Sequence, residues 1–128
     1  MAFMVDAAFD AALDYLRTNG TRIDFCTTEP ATYAAATSTN TVANETGITL
    51  TANAAGSPNG RRCTIPATVS ATVTADGTAT HWAWTDGVSA LLATGALTSG
   101  EAVLVGGGTN TLDLTAAIPI EFADAVAI

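Results

Sequence analysis

Apolar side chains in the N-terminal segment recur at a spacing of three or four, which is the period of an amphipathic α-helix. Their positions are Val5, Phe9, Leu13 and Leu16. The pattern predicts a helix within residues 1–19, with Asp6 as its N-cap and a left-handed stop at Gly20. Asp6, Asp10 and Asp14 share a helical face that we expect to be solvated.

From residue 22 onward apolar and polar residues alternate with a period of 2, which is typical of half-buried β-strands. This alternation predicts strands over residues 22–27, 48–54 and 61–75, and further strands in the C-terminal third of the chain. Pro66 interrupts the third of these strands. The Asp-Gly pairs at residues 76–77 and 86–87 each predict a hairpin turn.

The connection over residues 28–47 is polar, rich in alanine and threonine, and has no clear period. We expect a long loop or arm that becomes ordered against another surface. The rest of the pattern predicts a mainly β fold, an antiparallel β-sandwich or small barrel of about seven to nine strands with one N-terminal α-helix. At 128 residues the chain fits a single domain over residues 1–128.

The segment 79–97 (ATHWAWTDGVSALLATGAL) contains both tryptophans and the only histidine. In a hairpin, alternation places Trp82 and Trp84 on one face and His81 on the other. The chain is 48% hydrophobic but 6% aromatic, so we expect the few large side chains to anchor a core of small residues. An outward-facing pair of tryptophans would instead form the stacking platform of a carbohydrate-binding module. The predicted core anchors are Phe9, Leu16, Phe25, Trp82, Trp84, Ile118 and Ile120.

The formal net charge is −8, and four arginines are the only basic residues apart from the histidine. So few cations argue against a nucleic-acid partner, because phosphate binding depends on them. No run approaches the roughly 18 apolar residues of a membrane span, and the N-terminus lacks the basic region of a signal peptide. We therefore expect no membrane partner and synthesis in the cytoplasm. Cys26 and Cys63 fit buried free thiols there, and a disulfide between them is the open alternative.

His81 is the first candidate for catalysis, but the sequence offers it little to activate. The hydroxyl groups nearest to it in sequence belong to threonines, and no glycine-flanked serine nucleophile occurs. One histidine, two distant cysteines and scattered acids match no metal-ligand spacing. We therefore predict a non-enzymatic protein with no catalytic residue, no metal site and no cofactor.

Two stretches carry a resemblance to a known class of proteins. They are ALDYLRTNGTRIDFCTTEPATYAAATST and GRRCTIPATVSATVTADGTATHWAWTDGVSALLATGAL. Together they resemble small virion structural proteins of tailed bacteriophages and alphaproteobacterial prophages, of the capsid decoration or fibre-associated type. The resemblance covers most of the chain and implies no catalytic residues.

The resemblance implies a many-copy protein, assembled in the host cytoplasm and located on the virion. We expect a capsid decoration or cement protein that binds the major capsid protein or other virion proteins as a homo-oligomer or symmetric array. A neck, tail or fibre-base component is the alternative within the class. The expected contacts are the segment 30–44, the N-terminal helix and one exposed sheet edge. The candidate interaction residues are Pro30, Tyr33, Thr37, Thr39, Asn44 and His81.

Overall fold

Two antiparallel sheets and an N-terminal helix make up the part of the chain that the computed structural model describes, residues 5–56, 60–103, 111–114 and 116–122. The larger sheet has six strands and the smaller has three. The fold is mainly β, as the alternation predicts, and the described strands do not close into a barrel. In chain order the elements are α1 (Asp6–Asn19), β1 (Arg22–Cys26), a π-helical turn (Ala35–Thr39), β2 (Thr41–Thr46), β3 (Ala54–Ala55), β4 (Arg61–Ile65), β5 (Ser70–Val73), β6 (Gly77–Thr85), β7 (Leu91–Val103), β8 (Thr111–Asp113) and β9 (Ile118–Phe122).

The larger sheet has the strand order β7-β6-β1-β2-β5-β8, which places β1 near its centre and β7 and β8 at its edges. β1 pairs with β6 along its whole length, from Arg22 opposite Thr85 to Cys26 opposite His81. The smaller sheet has the order β3-β4-β9. Because β1 and β6 are far apart in the chain, long-range contacts hold the centre of the larger sheet.

One hydrophobic core joins α1, the larger sheet and the smaller sheet. On β1 the fully buried Ile23 and Phe25 face this core, and Asp24 between them faces the opposite side of the sheet. Much of the core is alanine, valine and isoleucine, so its few large side chains supply most of the buried area. Of the predicted anchors, Phe9, Leu16, Phe25, Trp82 and Trp84 are buried, and Ile118 and Ile120 are half-buried at the core margin.

Helix α1 turns its apolar stripe inward as its spacing predicts. The buried residues of the stripe are Phe9, Leu13 and Leu16. The predicted N-cap is wrong, because Val5 caps the helix and Asp6 is the first helical residue, with no side-chain cap. Asp10 is not part of a solvated face, since its Oδ1 accepts a hydrogen bond from Arg61 Nε of β4 at 2.8 Å. Residues 1–4 of the predicted helix lie outside the described residues.

The end of α1 differs from the predicted left-handed stop. Gly20 is extended, with φ −89° and ψ 142°. The glycine is needed for space, because a Cβ at this position would lie 1.9 Å from Trp84 Nε1. That indole N–H donates to the Leu16 carbonyl at 2.9 Å, so the close approach ties the end of α1 to β6.

Two predicted strand features are also wrong. The stretch 48–54 contributes only its last residue to a strand, the two-residue β3. The turn at residues 76–77 does not close a hairpin, because β5 pairs with β2 and β8 while β6 pairs with β1 and β7. By contrast, the interruption at Pro66 and the hairpin at residues 86–87 are confirmed. Alternation therefore locates strands more reliably than it identifies their partners.

The segment 28–47 is not a free arm. Its C-terminal part is β2, a strand inside the larger sheet. Residues 27–40, here called the covering segment, lie over the face of the sheet opposite to the core, where Ala36 packs against Cys26 and Ala83. Small side chains allow this close approach, and they also hide the segment from a search for hydrophobic periodicity.

Candidate assembly edge

Most candidate interaction residues of the covering segment are committed to the protein's own sheet. Pro30 is buried within the chain itself, and its contact with a partner stays a prediction. Thr37 Oγ1 donates to the Tyr33 carbonyl at 2.9 Å, and the Thr37 carbonyl accepts a bond from Arg22 Nη2 at 3.4 Å. The remaining candidates divide by exposure: Thr39 is exposed, whereas Tyr33, Thr37, Asn44 and His81 are half-buried.

An ion pair within β1 lies beneath the covering segment, and its arginine also donates to the Thr37 carbonyl of that segment. Asp24 is fully buried, and both of its carboxylate oxygens accept bonds from the Arg22 guanidinium, at 2.7 and 2.8 Å. The hydrogen bond to Asp24 raises the pKa of Arg22 against the opposing effect of its burial. Sequence reasoning missed this pair, although opposite charges two residues apart in a strand share a face. Removing either partner would leave the other poorly satisfied in the interior.

His81 and Cys26 are cross-strand neighbours beneath the covering segment. His81 Nδ1 lies 2.9 Å from Thr80 Oγ1, and the Cys26 thiol donates to the Ala36 carbonyl at 3.5 Å. Burial, with a smaller contribution from the Asp24 charge, raises the pKa of Cys26 to about 12. The thiol is therefore protonated near neutral pH and is a poor nucleophile. Cys63 is also a buried free thiol.

The two tryptophans do not form a surface platform. Trp82 is 5% exposed and Trp84 is 0% exposed, so neither indole face is open to a sugar ring. Trp82 lies directly against Gly95 of β7, where a Cβ would approach the indole to 2.6 Å. Both side chains hold strands and helix together, and the carbohydrate-binding hypothesis loses its site.

The described residues contain no group of three or more histidine, cysteine, aspartate and glutamate side chains that could hold a metal ion. In the same part of the chain, no helix combines the length and hydrophobicity that a bilayer crossing requires. Among the surfaces of the described residues, one sheet edge stands out.

β7 is the terminal strand of the larger sheet, and its regular part is short. Residues 93–96 pair one to one with residues 81–84 of β6. The pairing register shifts on both sides, next to Thr85 and next to Ala79. Such shifts are β-bulges, which bend a strand and interrupt its ladder. The straight edge therefore spans residues 93–96.

Hydrogen bonds at the end of β6 show which way its backbone groups point. The Thr85 carbonyl accepts a bond from the Thr21 N–H at 3.0 Å, which directs Thr85 toward β1. The Asp86 N–H donates to the Ala90 carbonyl at 3.1 Å, which directs Asp86 toward β7. Because these directions alternate along a strand, both tryptophans of β6 exchange their backbone bonds with β7.

The same alternation assigns the residues of β7. Ala93 and Gly95 lie opposite the two tryptophans and bond to β6. Thr94 lies between these two residues, and Ala96 follows Gly95. Both point their N–H and C=O groups away from the sheet. No strand among the described residues lies beyond β7, so these groups form an open edge.

The run of β7 along this edge has no charged residue of its own, although Glu29 of the covering segment accepts a hydrogen bond from Thr94 Oγ1 at 2.8 Å. Residues 87–100 include no acidic or basic residue and no proline. Leu92 and Leu97 are half-buried and pack against the core margin. Exposed edges are ordinarily protected by charges or prolines, and here the register shifts on both sides and the Glu29 carboxylate at Thr94 are what limit pairing. Among the contacts expected from sequence, this edge offers outward-pointing backbone groups, and helix α1 also keeps an exposed face that includes Tyr15.

The β9 edge of the smaller sheet is built differently. Both backbone groups of Thr64 in β4 bond to Thr51. The Thr64 N–H donates to Thr51 Oγ1, and the Thr64 carbonyl accepts from the Thr51 N–H, each at 2.9 Å. Pro119, opposite Thr64, therefore points its nitrogen and carbonyl outward. A proline nitrogen has no hydrogen to donate to an added strand. Glu121 brings a charge to the same edge.

Comparison of the chain with protein-family models, with curated proteins and with solved structures finds no match in any of the three. The sequence led us to expect an exposed edge without identifying the strand. The available signal was the uncharged, proline-free run after the hairpin turn. Which residues of that run face outward depends on hydrogen-bond direction, which the run does not encode.

Proposed function

We propose that this chain is a non-enzymatic structural component of a tailed-phage virion, and specifically a capsid decoration protein that binds the assembled head. The observation that carries the assembly function is the edge of β7, where Thr94 and Ala96 point their backbone groups away from the sheet and residues 87–100 include no charged residue. The resemblance to phage virion proteins supplies the location. The partners are the major capsid protein or other virion proteins, contacted by many copies in a symmetric array.

The interior arrangement supports a structural function over a chemical one. Asp24 is held by Arg22, and the Cys26 thiol is buried with a raised pKa. His81 makes its described side-chain contact with the neighbouring Thr80. Cys26 lies across the strand pair from His81, but its thiol donates to the Ala36 carbonyl and has a raised pKa, so it is not the activated thiolate that nucleophilic catalysis requires.

A decoration protein stabilises a shell through linkage. Because it binds the assembled shell better than the separate subunits, its binding free energy is added to the stability of the assembled state. Weak contacts suffice when many copies bind in a symmetric array. A short edge with a few backbone bonds is suited to such binding.

Deleting the gene from the phage or prophage that encodes the chain tests this proposal. We expect heads that break more readily on heating or osmotic shock, with intact tails, and rescue by the full-length protein. Virions of the wild type should carry copies on the order of hundreds, as a shell component does. Stable heads with defective tails, or a few dozen copies, would place the protein at the neck, tail or fibre base instead.

A His81→Ala variant separates structural from catalytic function. We expect unchanged virion yield and infectivity, because His81 has no described partner to activate. Thr46→Ala, at an exposed position of β2 outside the candidate interaction residues, is the matched control. A folded His81→Ala protein that enters virions but abolishes infectivity would overturn the non-enzymatic assignment.

A further inference from the structure

We propose that the β7 edge pairs with β7 of a second copy of this chain, antiparallel about a two-fold axis at Gly95. The inference rests on the assembly function proposed above, since it names the partner of the same edge. The pairing would join two six-stranded sheets into one continuous sheet across the axis.

The directions in which the backbone N–H and C=O groups point select this register. In an antiparallel pair, residues that face each other exchange bonds only if both point toward the partner strand. A two-fold axis at Gly95 places Thr94 opposite Ala96 of the second copy, and both residues point outward. Each of the two Thr94–Ala96 pairs can then exchange two N–H···O=C bonds. An axis at Thr94 would instead use Leu92, which lies in the bulge next to Thr85.

The side chains at the axis permit close approach. Gly95 has no side chain, and its core-side space is filled by the Trp82 indole. Ala96 is small and exposed. Leu92 and Leu97, half-buried on the core side, would lose further exposed area under an added strand. No charge on the run 87–100 specifies a partner of different chemistry.

The bulges and the second edge keep such pairing finite. Beyond residues 93–96 the ladder is interrupted on both sides, so the contact cannot lengthen by strand slippage. An isologous two-fold contact uses the same surface on both copies and closes. At the other edge of the larger sheet β8 has only three residues, one of them the charged Asp113, and the β9 edge of the smaller sheet carries Pro119 and Glu121.

Electrostatics opposes the pairing and offers a way to detect it. Each copy has a net charge of −8, and Glu29 Oε1 accepts a hydrogen bond from Thr94 Oγ1 at 2.8 Å. Two Glu29 carboxylates would therefore lie near the axis. Added salt screens repulsion between charges, so the dimer should tighten as the salt concentration rises.

Sedimentation of the full chain over a range of concentrations tests the inference. We expect a reversible monomer–dimer equilibrium that shifts toward dimer in salt. Ala96→Pro should weaken dimerisation at least about tenfold, because it removes one outward N–H from each copy, while Ala96→Ser should not. Glu29→Gln should strengthen it several-fold. Circular dichroism reports whether the proline variant folds, and Ala96→Glu, a charge at an exposed position, is the second disrupting variant.

The outcomes separate this inference from the proposed function. A wild-type chain that stays monomeric at all concentrations, or disrupting variants that dimerise as the wild type does, overturns the second-copy pairing. If the wild type is monomeric yet Ala96→Pro and Ala96→Glu no longer enter virions, the edge binds another virion protein and the proposed function stands. If the chain dimerises as expected but is absent from virions, the inference stands and the proposed function fails.

Discussion

At the β9 edge the outward backbone positions belong to Pro119 and Glu121, whereas at the β7 edge they belong to Thr94 and Ala96. The proline removes a donor and the glutamate adds a charge, and both discourage strand addition. Threonine and alanine leave donors and acceptors available. Within one molecule, protection is therefore applied edge by edge. This contrast is the reason for proposing β7, and not β9, as the assembly edge.

The packing behind the two edges also differs. Behind β7 the buried Trp82 indole presses on the backbone at Gly95. At the end of β9 the Phe122 ring, 38% exposed, stacks on Phe9 with ring centroids 5.8 Å apart and planes 9° apart. The β7 backbone therefore packs against a buried side chain, whereas the end of β9 packs through a partly exposed aromatic pair. A backbone held in place loses less entropy when it binds.

Gly95→Ala is expected to have the largest effect, because its Cβ would approach the Trp82 indole to 2.6 Å. The free energy of unfolding should fall by about 3 kcal/mol, measured by urea denaturation. Gly47→Ala is the control, since Gly47 has φ +74° but no atom within 4 Å of the added Cβ. The free energy of unfolding of the Gly47→Ala control should fall by about 1 kcal/mol, through backbone strain alone. Equal losses would show that Trp82 moves aside and does not hold β7.

Phe122→Ala should have the next largest effect and should act on stability without acting on association. Losing the stack on Phe9 should cost about 1–2 kcal/mol, less than for a fully buried ring, because Phe122 is 38% exposed. Tyr15→Ala, at a side chain 60% exposed, is the control and should change stability little. A weaker dimer in the Phe122 variant would move the interface to β9.

The features that follow from the sequence are those set locally. Alternation predicts the β fold and the burial of Trp82 and Trp84, and the Asp-Gly pair at residues 86–87 closes the hairpin as expected. Which strands pair is set by contacts between residues that are distant in sequence, so the Asp-Gly pair at residues 76–77 predicts a hairpin that does not form. Gly20 shows the same limit, because its need for space comes from an indole in β6.

Only one of the two features that define the candidate edge can be recognised in the sequence. The uncharged run at residues 87–100 can be recognised from composition alone. The outward direction of the Thr94 backbone groups cannot be recognised in this way, because the bulges next to Thr85 and Ala79 change which residues of β7 bond to β6. The sequence does not predict the packing of the covering segment, for a different reason. Its alanines and threonines pack by being small, so they leave no hydrophobic period to detect.

Pro119→Ala tests whether proline protects the β9 edge. In the Ala96→Pro background, where β7 pairing is blocked, restoring an N–H at position 119 should produce weak self-association at high concentration. The free energy of unfolding should change by less than about 1 kcal/mol, because Pro119 is exposed. Sedimentation of the single and double variants measures the difference. A double variant that remains monomeric would mean that the proline is not what distinguishes the two edges.

Asp86→Asn should have the smallest effect, and it concerns the turn that starts β7. Asp86 Oδ1 accepts bonds from the N–H groups of Ala90, Ser89 and Val88, which lower the pKa of Asp86. A lowered folded-state pKa contributes stability above the unfolded value of about 3.9, and this contribution is lost as pH falls through the folded-state pKa. Melting temperatures measured from pH 7 downward should therefore favour the wild type at neutral pH and converge with those of Asp86→Asn in acid. Curves that stay parallel would show that the carboxylate charge does not stabilise the turn, leaving Gly95 and Trp82 as the groups that hold β7.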